Sequence, residues 1–453
     1  MGPRDERHTP QDDLFRSELV NLIDPRHPLV KLADRIDWSV FEREWSELFA
    51  SPTGRPAAPP RLIAGLLYLQ HAYNLSDEAV VERWVENVYY QHFCGEKYFQ
   101  HELPIDPSSL TRWRQRIGEE GVELLLAETV EVAKRDGVVK RQSLERVTVD
   151  TTVQEKAITY PTDAKLYARG IRNLTKLAQQ HGVHLRQSYA RKAPEALLMV
   201  NRYAKAKQMK RKRRMTKRLK TYLGRVTRDI ERKIDGASET TQAAFREPLH
   251  RANRLLNQTR KSKNKLLAWH APEVEVIGKG KVAKPWEFGV KVSVAVTNKE
   301  SFVVGCRSMP NNPFDGHTLA ETLEQTAILS GVAPKRCYVD RGYKGAAIPG
   351  VQIVRSGQKR GVNTRTLKRE LKRRSAVEAV IGHMKTDGRM NRCRLKGALG
   401  DALNAVLVAA GHNIRLLLRA MATLLRELLR RLVAVRGAGI QGQDFDSSMW
   451  AAA

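Results

Sequence analysis

VTVDTTV, residues 147–153, is the stretch on which the reading of the fold turns. Its residues alternate and are β-branched, the pattern of a strand, whereas the sequence before it carries helical spacing. After it comes a long basic tract of helical character. Strand patterns then return at VEVIG (274–278), FGVKVSVAV (288–296) and FVVGCRS (302–308). A helix at HTLAETLEQTAILSG (317–331) is followed by a short strand CYVD (337–340) and another, VQIVRS (351–356). A basic helical tract from about 367 to 386 and a last helical region from about 401 to 435 close the series. This order predicts an α/β fold with one large helical insertion after its first strand.

Upstream, residues 1–57 mix charge with proline, and SPTGRPAAPP (51–60) reads as a linker. From Arg61 the spacing of Leu62, Ile63, Leu66, Leu67 and Leu69 predicts a helix. Ser76 before Asp77 and Glu78 reads as the cap of a second, and Asp106-Pro107 opens a third. That third helix carries Arg112, Arg114 and Arg116 beside Trp113. Short helices with an Arg-rich last member fit a helix-turn-helix DNA-reading module, and equally an all-helical packing module with a solvated basic face.

The chain has 453 residues, enough for about three structural units. With 42% hydrophobic and 28% charged residues it is neither wholly disordered nor collagen-like. No run approaches the roughly eighteen consecutive apolar residues of a membrane span, and the first residues lack the apolar region of a secretion signal. Four scattered cysteines, never spaced as C-x-x-C, suit a reducing compartment. The net charge of +30 is the strongest signal, and a polyanion such as DNA is its usual partner. Residues 191–270 hold 24 Lys and Arg against 6 Asp and Glu, peaking at RKRRMTKRLK (211–220). Such a run is either a solvated face or a phosphate grip, and its density favours the grip through Arg211, Lys212, Arg213 and Arg214.

Three acids stand where packing does not favour them. Asp150 interrupts an alternating strand, where Asp is disfavoured. Asp340 ends CYVD, at the carboxyl end of a strand, where open α/β sheets bind ligands. Glu378 lies among Ala376, Val377, Val380 and Ile381, an apolar setting in which a carboxylate is costly unless paired or bound to a cation. Leu371, Arg374, Glu378 and Lys385 recur at steps that share one helix face. The plain alternative is an Arg374–Glu378 ion pair worth roughly a few tenths of a kcal/mol, in its weaker orientation.

The blocks VDTTVQEKAITYPTDAKL (149–166), YVDRGYKG (338–345) and RRSAVEAVIGHMK (373–385) resemble the active-site blocks of the DDE transposases of bacterial insertion sequences, the insertion sequence five family above all. Residues 61–95 and 103–118 also resemble the N-terminal domain of that family. The likeness spans roughly residues 58–415, with the blocks in family order. It implies a ribonuclease-H-like catalytic core at 140–168 and 270–415, a helical DNA-binding domain at 58–135 and a basic helical insertion at 169–269. A C-terminal helix and tail would occupy 416–453, and the segment 1–57 would precede the whole. The resemblance also makes Asp150, Asp340 and Glu378 the catalytic, metal-holding triad. The family helix pattern Tyr, Arg, Glu, Lys is met by Arg374, Glu378 and Lys385, while Leu371 stands in place of Tyr and offers no equivalent DNA contact.

Chemistry agrees with that implication. Phosphodiester cleavage needs an activated water and relief of charge on the leaving 3′ oxygen, and a pair of Mg²⁺ or Mn²⁺ ions on carboxylate oxygens supplies both. The implied activity is metal-dependent DNA strand cleavage and transfer on terminal inverted repeats by a homodimer. The setting would be the bacterial cytoplasm, with the protein on the nucleoid and no membrane partner. Alternatives are a non-enzymatic DNA-binding regulator, a decayed transposase, or an endonuclease without strand transfer. His92, Cys94 and His101 invite a zinc reading without a fourth ligand, and core packing is favoured. Asp315 reads as a cap for the helix bearing His317, and His383 lies off the Glu378 face. No Walker or G-x-S-x-G motif occurs.

Overall fold

The computed structural model describes residues 16–49, 57–259, 261–278, 280, 284–358, 361–362 and 364–440, with side chains to residue 422. Most of the expected linker (51–56) and the tail from 441 onward lie outside the described residues. The chain opens with helices α1 (Leu19–Leu22), α2 (Pro28–Arg35), α3 (Ser39–Glu44), α4 (Ser46–Phe49), α5 (Pro60–Ala72), α6 (Asp77–Glu86), α7 (Val88–Phe93), α8 (Pro107–Arg135) and α9 (Arg141–Leu144). Strand β1 (Arg146–Glu155) leads into the helices α10 (Asp163–Gln180), α11 (Lys192–Lys205), α12 (Met209–Ile234) and α13 (Glu239–Asn257). The chain returns through β2 (Glu275–Gly278), β3 (Trp286–Thr297), β4 (Val303–Met309), α14 (Asp315–Ser330), β5 (Arg336–Val339) and β6 (Gln352–Arg355). It then runs through α15 (Arg365–Arg373), α16 (Ala376–Thr386) and α17 (Gly397–Ile440).

Local chemistry sets several of these boundaries. The Ser76 hydroxyl accepts from the backbone N–H of Ala79 at the start of α6. Asp106 accepts from Ser108 N–H at the start of α8, with Pro107 at the first helical position. Inside α8 the backbone breaks at Gly118 (φ 70°, ψ −172°), a conformation open in practice to glycine alone. The Arg-bearing first part of α8 therefore points differently from its second part. The basic tract expected as one helix over 367–386 is two, because the chain turns at Arg374 and Ser375.

The sheet order is β2-β3-β1-β5-β6, with β4 also paired to β3. β1 lies antiparallel to β3, with Asp150 opposite Val294, and parallel to β5, which is parallel to β6. β2 and β4 follow one another along the other side of β3. β1 is thus flanked by β3 and β5, and two buried blocks lie on either side of half-buried Asp150 and Thr151.

One apolar core runs from the N-terminal helices through the sheet to α17, whereas α10–α13 enclose a core of their own. Gly397–Ala422 of α17 is long and apolar enough to cross a membrane, contrary to the expectation that no segment is. In this fold 67% of its most apolar window is buried, packed against α5, α8 and β4. At Gly411 the α17 backbone lies so near the backbone of His71 that a Cβ would collide. Asn413 accepts from Val303 N–H and donates to Val303 C=O, continuing the pairing of β4 with a side chain. Arg415 donates to the carbonyls of His71, Ala72 and Asp387, tying the N-terminal helices to the end of α16.

Candidate active site

Three segments distant in sequence bring their acids to one place. Asp150 projects from the middle of β1, Asp340 follows the last residue of β5, and Glu378 sits in the first turn of α16. Between them, at the α15–α16 junction, lies the guanidinium of Arg374, whose side chain is 12% exposed. It is 3.5 Å from Asp150 Oδ2, 3.9 Å from Asp340 Oδ1 and 3.4 Å from Glu378 Oε1. The Arg374–Glu378 ion pair is therefore real, but it is one arm of a four-residue cluster. The sequence places Glu378 on a crowded apolar surface. Its side chain is instead 68% exposed, because Val377 and Val380 take the buried face of α16 and turn Glu378 outward. Asp150 is the most enclosed of the three acids, at 20% against 51% for Asp340.

Arg374 owes its position to a residue that pattern reading missed. Glu370, one turn earlier, is buried and accepts from Arg146 of β1 at 3.0 Å, from Arg336 of β5 at 3.1 Å and from the Tyr338 hydroxyl. Asn298 also donates to the Glu370 carbonyl, pinning α15 on the sheet. A second group, read from the sequence only as a cap, lies beside Asp150. Asp315 Oδ1 accepts from the hydroxyl of Thr151 at 2.9 Å and from Lys291 Nζ at 2.9 Å. Asp315 is the first residue of α14 and not its cap, which corrects the capping expectation. The Tyr343 hydroxyl is buried near both Asp150 and Asp315; burial and those two charges push its pKa far up, so it stays protonated. Lys291 had a sequence signal, a cation inside the apolar alternation of FGVKVSVAV.

Lys385 reaches Glu287 of β3 at 3.9 Å, and Leu371 packs beside Tyr338, Val354 and Leu367. Arg112 is exposed, with Ser109 as its neighbour. Arg114 is not available to DNA: its side chain is 2% exposed, pairs with Asp77 and donates to Gln70, so the helical period of α8 assigns it to the interior. On α12, Arg211, Arg213 and Arg214 are exposed and Lys212 is half-buried. Cys94 is buried against Gly65, with its thiol pKa pushed up by burial, while His101 lies exposed beside Phe99. His383 is paired with Asp387 at 2.8 Å.

Among the described residues no three His, Cys, Asp or Glu side chains stand close enough to hold one ion. The donor chemistry nonetheless fits hard divalent cations. Asp150, Asp340 and Glu378 offer carboxylate oxygens, and each has one within 4 Å of the same positive group, the Arg374 guanidinium.

Comparison with known proteins adds a family. A family model described as a transposase domain matches residues 17–116, and a second, described as a transposase DDE domain, matches residues 335–418. The second range contains Asp340, Arg374 and Glu378, whereas Asp150 lies between the two. A protein of Rhizobium meliloti named "Uncharacterized protein ORF8 in nfe locus" is 52% identical over 198 residues, which cover 44% of this chain and 95% of that protein. No solved structure matches the chain. The two matched domains together indicate a DDE transposase of an insertion element. Members of that family typically use divalent metal ions, and their partner is DNA.

Proposed function

We propose that this transposase cuts and joins DNA at the terminal inverted repeats of an insertion sequence of the insertion sequence five family, on a ribonuclease-H-like core. The supporting observation is that acids 190 and 38 positions apart in the chain gather around the single Arg374 guanidinium. Asp150, Asp340 and Glu378 would hold two Mg²⁺ or Mn²⁺ ions. When bound, such ions lower the pKa of water and relieve charge on the leaving oxygen. Arg374 then has a phosphate to hold in exchange for the carboxylates, and its planar fork suits that role. Lys385 supplies a further positive charge on α16, the helix that carries Glu378. Water is the first nucleophile and the freed 3′-OH the second, so the chain needs no covalent intermediate of its own.

The domain assignment follows. The helices α5–α8 read the repeats, with Arg112 on the exposed face, and the basic face of α12 grips phosphates through Arg211, Lys212, Arg213 and Arg214. Two copies pair in the synaptic complex, in the bacterial cytoplasm on the nucleoid. The deciding experiment is Asp150→Asn, assayed on duplex DNA bearing the repeats with Mg²⁺ present. Cleavage is expected to vanish while binding to the duplex persists. Cleavage that survives removes Asp150 from the chemistry, and with it the proposed triad.

A further inference from the structure

Where the helices α10–α13 meet the rest of the fold, the structure contains a cavity of about 530 Å³. This lies within the range of small-ligand sites, roughly 300–1,000 Å³. Its floor is apolar, with Leu166, Leu197 and the buried Trp269 among its residues, and Tyr160 stands at it with its side chain largely in solvent. Along one wall run Lys165, Arg169, Arg172 and Lys176. Their steps of four, three and four residues place them on a single face of α10. Arg169, Arg172 and Lys176 are exposed and form no ion pair among the described residues, and no Asp or Glu lines the cavity.

We infer that this cavity is a binding site for single-stranded DNA, an inference that rests on the DNA-processing reading above. A duplex keeps its bases stacked and paired, so their faces cannot reach an apolar floor; unpaired bases can, against Tyr160 and the aliphatic side chains. The cation row covers eleven residue steps from Lys165 to Lys176, about 16 Å at 1.5 Å per residue. That is longer than the phosphates of one nucleotide and fits a short run of backbone. The location suits such a strand. Thr159 and Tyr160, which line the cavity, follow closely on β1, and its last residue Glu155 lies five positions beyond Asp150, about 17 Å along an extended strand. Tyr160 is braced edge-on by Phe288 of β3 at 5.4 Å, so the platform is fixed to the sheet that carries the acids.

The test measures fluorescence anisotropy of the full chain with two labelled probes, an oligothymidylate of about a dozen nucleotides and a duplex bearing the terminal repeats. Two variants are compared with the wild type: the triple substitution Arg169→Gln, Arg172→Gln, Lys176→Gln, and Leu197→Trp, which fills the cavity without touching charge. Circular dichroism checks that each is folded. The triple variant is expected to lose at least about tenfold in oligothymidylate affinity. Its salt slope should flatten by about two units, at roughly 0.7 for each single-strand phosphate no longer neutralised. Leu197→Trp should weaken the same probe several-fold by taking up the stacking space, and the duplex affinity of both should stay within about twofold. Oligothymidylate binding unchanged in either variant overturns the inference, as does an equal loss on the duplex. Competition by a free mononucleotide as effective as the oligomer would also overturn it, by making the site one for nucleotides. A wild-type protein that ignores the duplex sinks the functional reading instead, so the two failures are distinct.

Discussion

At the scale of single residues, identical side chains two positions apart have opposite fates. Arg112 and Arg114 look equivalent in TRWRQR, yet one faces water and the other is sealed against Asp77 and Gln70. Arg114→Ala strands the Asp77 carboxylate without its cation and is expected to cost about 3–5 kcal/mol in chemical denaturation. Arg112→Ala should leave stability within about 0.5 kcal/mol and weaken duplex binding. Equal stability losses would contradict the burial difference. Asp150 and Lys291 were each legible as a charge inside an apolar alternation. Buried Glu370 and half-buried Asp315 were not, because an acid enclosed on a helix reads like an exposed one until its partners on β1, β3 and β5 are known.

At the scale of elements, the basic helix α12 and the kinked helix α8 differ in what controls them. α12 keeps its apolar residues Leu219, Leu223, Val226 and Ile230 on one buried face, which leaves its cations outside. Neutralising Arg211, Arg213 and Arg214 together is expected to weaken binding to any DNA. Its duplex salt dependence should flatten by about one slope unit for each phosphate that the variant no longer neutralises. A slope that does not move returns the run to a solvated face. The positions of α5, α6 and the start of α8 followed from caps and apolar spacing, which are local. The break at Gly118 and the separation of α15 from α16 were not legible, since a glycine or an Arg-Ser pair within a helical pattern does not announce a turn.

At the scale of the whole molecule, the N-terminal helices and the sheet share one core, and that junction is sensitive to acid. Burial draws His71 down to about 3 and His412 down to about 4, with nearby Arg389 and Arg415 acting in the same direction. Both imidazoles are therefore neutral in the folded protein, whereas in the unfolded chain they take up protons below about 6.5. Their contribution is fully present above that pH and is lost as the pH falls, at roughly 1.4 kcal/mol per unit for each histidine until the folded pKa is reached. Urea unfolding is expected to show a lower midpoint at about pH 5 than at about pH 7, and a smaller drop in His71→Gln. A midpoint that does not fall on acidification counts against it.

The strand-and-helix order, the insertion after β1, the basic character of α12 and the choice of Asp150, Asp340 and Glu378 as candidates followed from the sequence alone. Each depends on residue type and short-range spacing, which the chain carries before it folds. What only the tertiary structure decided is proximity. That one guanidinium sits within 4 Å of Asp150, Asp340 and Glu378, that Arg114 lies inside while Arg112 lies outside, and that a cation-walled cavity opens beside Tyr160 all depend on which distant segments pack together. Such pairings reflect burial and geometry across the fold, and no local pattern encodes them.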